Sequence, residues 1–144
     1  MIMPILAVKD FAATKKFYSE ILGFNVDFTM PDPSGGEAFG IFSWGKANLG
    51  AGIDPSGESA GHKVGAGVKF MIYTPDNVDI DQLRSKVEAR GGQVSEIKTQ
   101  YWGDRTFTIN DPDGYVITLA KTVKQMSNEE ILAADAAQRT TANG

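Results

Sequence analysis

Residues 101–121 read YWGDRTFTINDPDGYVITLAK, and this stretch decides the fold. At its centre, Asp111-Pro112-Asp113-Gly114 carries turn chemistry. Proline pre-sets φ for a turn's second position, glycine tolerates positive φ, and aspartate side chains bond back to nearby amides. On either side lie β-branched and aromatic residues suited to a pleated surface: Thr106 to Ile109 before the turn, Tyr115 to Thr118 after it. The stretch is a predicted β-hairpin.

Reading back from the hairpin, a full unit appears. Val68 to Thr74 has strand character, and Asp79 or Asp81 is placed to cap a helix over 80–90, with Ile80, Leu83 and Val87 as its apolar stripe. Gly91-Gly92 ends that helix, and Val94 to Ile97 reads as a strand. The first half of the chain repeats the order. Met3 to Val8 is a short apolar strand, and Asp10 caps an amphipathic helix over 11–22 that stops at Gly23. Strands follow over Phe24 to Met30, Ala38 to Trp44 and Ala47 to Ile53, the last two joined by Gly45-Lys46. Between the halves, Asp54 to Gly65 is polar, glycine-rich and aperiodic. The expected class is α+β: two βαβββ modules, about 1–54 and 66–122, in one domain over 1–122. A tail over 123–144 follows, with a capping box at Ser127 to Glu130 opening a short helix.

Composition narrows the partners. The chain has 144 residues, 42% hydrophobic and 22% charged, in the range of an ordinary soluble domain. A formal charge of −4 disfavours nucleic acid and favours a neutral or cationic ligand. There is no cysteine, so disulfides and thiolate chemistry are excluded. The opening residues MIMPILAVKD lack the pattern of a signal peptide, and no run of about 20 apolar residues offers a membrane span. The expectation is a cytoplasmic protein acting on a small molecule.

With VKDFAATKKFYSEILGF in the first module and WGDRTFTINDPDGYVITL in the second, the chain resembles the vicinal oxygen chelate superfamily of glyoxalases, bleomycin-resistance proteins and extradiol dioxygenases. The resemblance implies strands that curl into a cup-shaped mixed sheet with helices outside, commonly completed by dimerisation. It also implies where a divalent metal would be held, by His, Glu or Gln side chains converging from the cup's strands. Those positions fall on Met3 in the first strand, Gly67 or Val68 in the fifth and Thr118 in the last, with Asn48 or Gly50 on the fourth. Met3, Gly67, Val68 and Gly50 supply no hard ligand, and Thr118 is a weak one. The expectation is a cup without metal or other cofactor and without catalytic residues.

His62 is the only histidine, and it lies in the glycine-rich linker with no carboxylate identified beside it. Asp111 and Asp113 form a carboxylate pair whose place in the turn explains them without catalysis. Taking Met3, Gly67 and Thr118 as the cavity face, strand alternation assigns Met3 and Ile5, then Lys69, Met71 and Tyr73, to the walls. In the third strand Phe42 and Trp44 share one face, Phe39 and Ile41 the other. The expected ligand-binding residues are Met3, Phe42, Trp44, Lys69, Tyr73, Trp102, Arg105 and Thr118. The sequence thus points to a metal-free, homodimeric small-molecule-binding protein of the bleomycin-resistance type, sequestering an antibiotic or metabolite. The alternative is a metal-dependent lyase, isomerase or dioxygenase of the same superfamily.

Overall fold

The computed structural model describes residues 1–53 and 68–143. Within the first module, β1 (Ile5–Val8) leads into α1 (Phe11–Lys16), which continues as a π-helical segment, Phe17–Leu22. Asp10 caps α1 by accepting from the Ala13 amide at 3.2 Å. Gly23 closes the helix with φ 103°, its N–H donating to the Tyr18 carbonyl. Then come β2 (Asn25–Pro31), β3 (Glu37–Trp44) and β4 (Ala47–Ile53).

Module two repeats the plan with β5 (Lys69–Tyr73), α2 (Ile80–Ala89), β6 (Lys98–Thr99), β7 (Asp104–Asn110) and β8 (Val116–Thr122). Of the two candidate caps Asp79 is the one used, accepting from the Asp81 and Gln82 amides at 3.0 and 3.1 Å. The strand expected over 94–97 contracts to a single bridge from Val94 to Ile109, with the two-residue β6 just beyond it. The tail forms α3 (Asn128–Asn143), longer than the short helix expected, and Leu132 on it is 68% exposed.

The strand orders confirm the repeat. Each module gives a four-stranded mixed sheet, β1-β4-β3-β2 and β5-β8-β7-β6, with β1∥β4 and β5∥β8 parallel and the other pairs antiparallel. The helix-facing sides of both sheets feed one core. Leu6, Phe11, Tyr18, Phe42 and Leu49 come from the first module, and Ile80, Val87, Phe107, Ile117 and Leu119 from the second. Removing such side chains from water stabilises at about 25 cal/mol per Å².

Polar contacts lock the modules together through the hairpin turn. Tyr18 Oη donates to Asp111 Oδ2 at 2.9 Å, deep in the protein. Asp111 Oδ1 accepts from the amides of Asp113 and Tyr115, both at 2.9 Å, and the Lys9 amide donates to Asp113 Oδ1 at 3.0 Å. Tyr115 Oη reaches the Ala7 carbonyl at 3.2 Å. The Asp111–Asp113 pair is therefore a turn that also joins modules. Burial raises the Asp111 carboxyl above its ordinary pKa, although the donated hydrogen bonds oppose the shift. Burial first, then the Asp111 charge, raises the Tyr18 phenol.

Candidate functional site

Cross-strand pairs share a sheet face, so register tells which side chains line the surface away from the helices. In the first sheet one row runs Phe28–Ile41–Gly50–Ile5 across all four strands. The next runs Met30–Phe39–Gly52–Ala7. This face is apolar, and Ile5, Phe28 and Met30 are 61%, 50% and 49% exposed. Gly50 and Gly52 make it possible: a Cβ at Gly50 would lie 3.2 Å from Ile5 Cγ1, and one at Gly52 2.9 Å from Phe39 Cδ2. The larger neighbours lean into the space the glycines leave.

The corresponding face of the second sheet is polar along its middle. Its rows run Lys69–Val116–Asn110, then Met71–Thr118–Thr108, then Tyr73–Ala120–Thr106–Lys98. At the far end sits Asp104, buried, paired with Thr122. Its carboxylate accepts three bonds of 2.8 Å: Oδ2 from Tyr73 Oη and Trp102 Nε1, Oδ1 from Thr122 Oγ1. The hydrogen bond to Asp104 raises the Tyr73 phenol above its usual value, with burial second. Trp102 in turn packs edge-on against Tyr101, ring centres 5.0 Å apart. One carboxylate thus holds an aromatic platform at one end of the sheet.

β1 and β5 are edge strands of their sheets, and residues just ahead of β1 and residues of β5 line a common cleft. This cleft, of about 320 Å³, forms a seam lined among others by Pro4 and Asn48 from the first module and Met71 and Tyr73 from the second. Apolar wall, seam and polar wall together make a concave surface with helices behind it.

The expected binding residues divide on this geometry. Lys69, Tyr73 and Thr118 share the face of the second sheet, with Trp102 beside them. Met3 is half-buried just ahead of β1. The structure places the other three expected ligand-binding residues, Phe42, Trp44 and Arg105, away from that face. Phe42 is 0% exposed within the core, and Trp44 packs there against Phe24 at 5.1 Å. The third strand therefore turns Phe39 and Ile41 to the cup. Arg105 lies on the helix side, where Nε and Nη2 clamp the Asp81 carboxylate at 2.8 and 2.7 Å, so its charge is spent within the fold. Asp104 was not singled out from the sequence. A lone aspartate before a strand carries no signal of the three donors that tertiary packing delivers to it. Phe28 and Met30 alternate in a strand visible in the sequence, but their face depends on the bulge between Val26 and Phe28.

Among the described residues no three His, Asp or Glu side chains converge as a metal-binding group. Thr118 stands at the centre of the second sheet, and Asn48 and Gly50 lie on β4. Those neutral groups do not fit a divalent cation, which needs several charged or imidazole donors. Gly67 and His62 lie outside the described residues.

The comparisons with known proteins agree with this architecture. TnmS3, an antibiotic binding protein from Streptomyces sp. CB03234, has 24% identity and a TM-score of 0.62, the match covering 83% of this chain and 93% of that one. A glyoxalase/bleomycin resistance protein from the same source has 26% identity and a TM-score of 0.60, covering 81% and 96%. The bleomycin resistance determinant encoded on transposon Tn5 has 22% identity and a TM-score of 0.59, covering 85% and 97%. No curated protein matches the chain. No helix among the described residues is long and apolar enough to cross a membrane. The family model Glyoxalase/Bleomycin resistance protein/Dioxygenase superfamily matches residues 2–119, and the chain belongs to that superfamily.

Proposed function

We propose that this protein binds and sequesters a small molecule, an antibiotic or a metabolite, on its concave surface without metal chemistry. The observation that carries the reading is the cup's lining. Large apolar side chains, Ile5, Phe28 and Met30 on the first sheet and Met71 on the second, stand exposed. Met71 shares its strand face with Tyr73 of the aromatic platform, while Thr118 and Asn48 occupy strand positions where a metalloenzyme needs charged or imidazole donors. Exposed apolar surface of this extent marks a place where something docks. The antibiotic-binding neighbour supports a ligand of that kind.

A homodimer completes the site in this reading. The first sheet's apolar wall is open in one chain, and covering it with a second copy removes that area from water. The binding domain is residues 1–122, and 123–144 is an appended tail. Met3, Lys69, Tyr73, Trp102 and Thr118 line the site, together with Ile5, Phe28, Phe39 and Ile41.

The test combines metal analysis with ligand screening. Protein purified without chelator should carry no stoichiometric metal, and a thermal-shift screen of antibiotics and planar metabolites should find a stabilising compound. A ligand at 100 times its dissociation constant adds about 2.7 kcal/mol. A structure grown in excess zinc, nickel or manganese that shows an ion held by three or more side chains in the cup would overturn the proposal.

A further inference from the structure

The second sheet's concave face has a direction. Along β5 the side chains Lys69, Met71 and Tyr73 point the same way, so the amine at one end and the phenol at the other start about 13 Å apart along the strand. The Tyr73 end carries the aromatic platform, fixed because Tyr73 and Trp102 share Asp104 Oδ2. Between the ends, in the row of Met71, lie the hydroxyls of Thr118 and Thr108, in register across β8 and β7.

The charges on this face do not follow those of the whole chain. Two amines reach it, Lys69 and, from the outer strand, Lys98, which pairs with Thr106. Its one carboxylate in the paired rows, Asp104, already accepts three donors. Lys69 is exposed and makes no ion pair with a described residue. A net charge of −4 is spread over the whole surface and screened beyond about 8–10 Å at ordinary salt, whereas an amine in the cup acts at contact distance. Among the described residues the charge on this face is thus cationic, which favours an anionic ligand group over the neutral or cationic ligand that the net charge favoured.

We infer that the molecule bound here is an elongated aromatic acid: its anionic group meets Lys69, and its ring system lies on the Tyr73–Trp102 platform. This inference rests on the sequestration reading and deepens it by naming the ligand class.

The experiment uses three fluorescent probes that differ only in one end group, pyrenebutyrate, pyrenebutanol and pyrenebutylamine, titrated into the full-length protein. The acid should bind about tenfold more tightly than the alcohol, 1.4 kcal/mol by the usual conversion, and the amine most weakly. Raising the salt should shrink the preference. Lys69→Met should bring the ratio of acid to alcohol close to one, and Lys69→Arg should keep it well above one. Equal binding of acid and alcohol to the natural protein, or a preference that survives Lys69→Met, would overturn the acid inference and leave sequestration standing. Binding of none of the three would overturn both the inference and the aromatic-platform reading beneath it.

Discussion

Tyr18→Phe tests the joint between the two modules, on which the shape of the cup depends. The substitution removes one oxygen and leaves the ring, so it opens no cavity of consequence in a residue that is fully buried. What is lost is the bond from Tyr18 Oη to Asp111 Oδ2, 2.9 Å long, which leaves a buried carboxylate oxygen without its donor. Hydrogen bonds to charged groups contribute about 1.5–3 kcal/mol, so a loss of roughly 2 kcal/mol is expected at neutral pH. For a chain of this size that lowers Tm by roughly 5–10 °C. The pH dependence gives a second check. Burial raises the Asp111 carboxyl above 3.8, and the Tyr18 bond partly opposes that rise. The group's contribution to stability is thus full at acid pH and is lost as pH climbs through its folded pKa. Removing the tyrosine hydroxyl raises that pKa further, so the variant regains ground as the carboxyl protonates. The cost should fall to about 1 kcal/mol in acid, the value of a bond between neutral groups. Urea unfolding of both proteins at one fixed concentration, at neutral pH and again in mild acid, measures this. A cost below about 0.5 kcal/mol at neutral pH, or one that grows as the pH falls, would refute the reasoning.

The remaining expectations concern the cup and its supports. Gly103→Ala should destabilise by more than about 2 kcal/mol in denaturant unfolding, because φ at Gly103 is 99° and the new Cβ would run into the Lys124 carbonyl. Asp104→Asn should bring the Tyr73 phenol back toward 10.0, since the bond to Asp104 is the main cause of its raised value. Tyrosinate absorbance during alkaline titration reads the change, and an unmoved Tyr73 would count against Asp104 as the platform's anchor. Trp44→Ala should cost about 3–5 kcal/mol of stability as a core truncation, whereas Trp102→Ala should chiefly weaken pyrenebutyrate binding. If the proposed homodimer is built on the first sheet, the natural protein should sediment as a dimer and the double variant Phe28→Ser, Met30→Ser, still folded by circular dichroism, as a monomer at the same concentration. An unchanged dimer would move the interface off the first sheet.

Local chemistry made most of the fold legible in advance. Turn residues at Asp111 to Gly114, caps at Asp10 and Asp79 and the stops at Gly23 and Gly91 act within a few residues of themselves, and they marked out both βαβββ units. Period-two alternation likewise put Lys69, Met71 and Tyr73 on one face of β5, because that property belongs to a single strand. Alternation cannot say which face is which. In β3 it separated Phe42 and Trp44 from Phe39 and Ile41, but only packing against α1 and pairing with β4 turned the first pair into the core. Arg105 was equally undecided, since an arginine is available to a ligand only if no carboxylate of the fold reaches it, and Asp81 comes from a helix 24 positions earlier in the chain. Asp104 became the hub of the aromatic platform through Tyr73, Trp102 and Thr122, three donors carried by different elements. Turns, caps and periodicity are short-range and can be read along the chain, whereas the sharing of one carboxylate by distant donors exists only once the sheets have assembled.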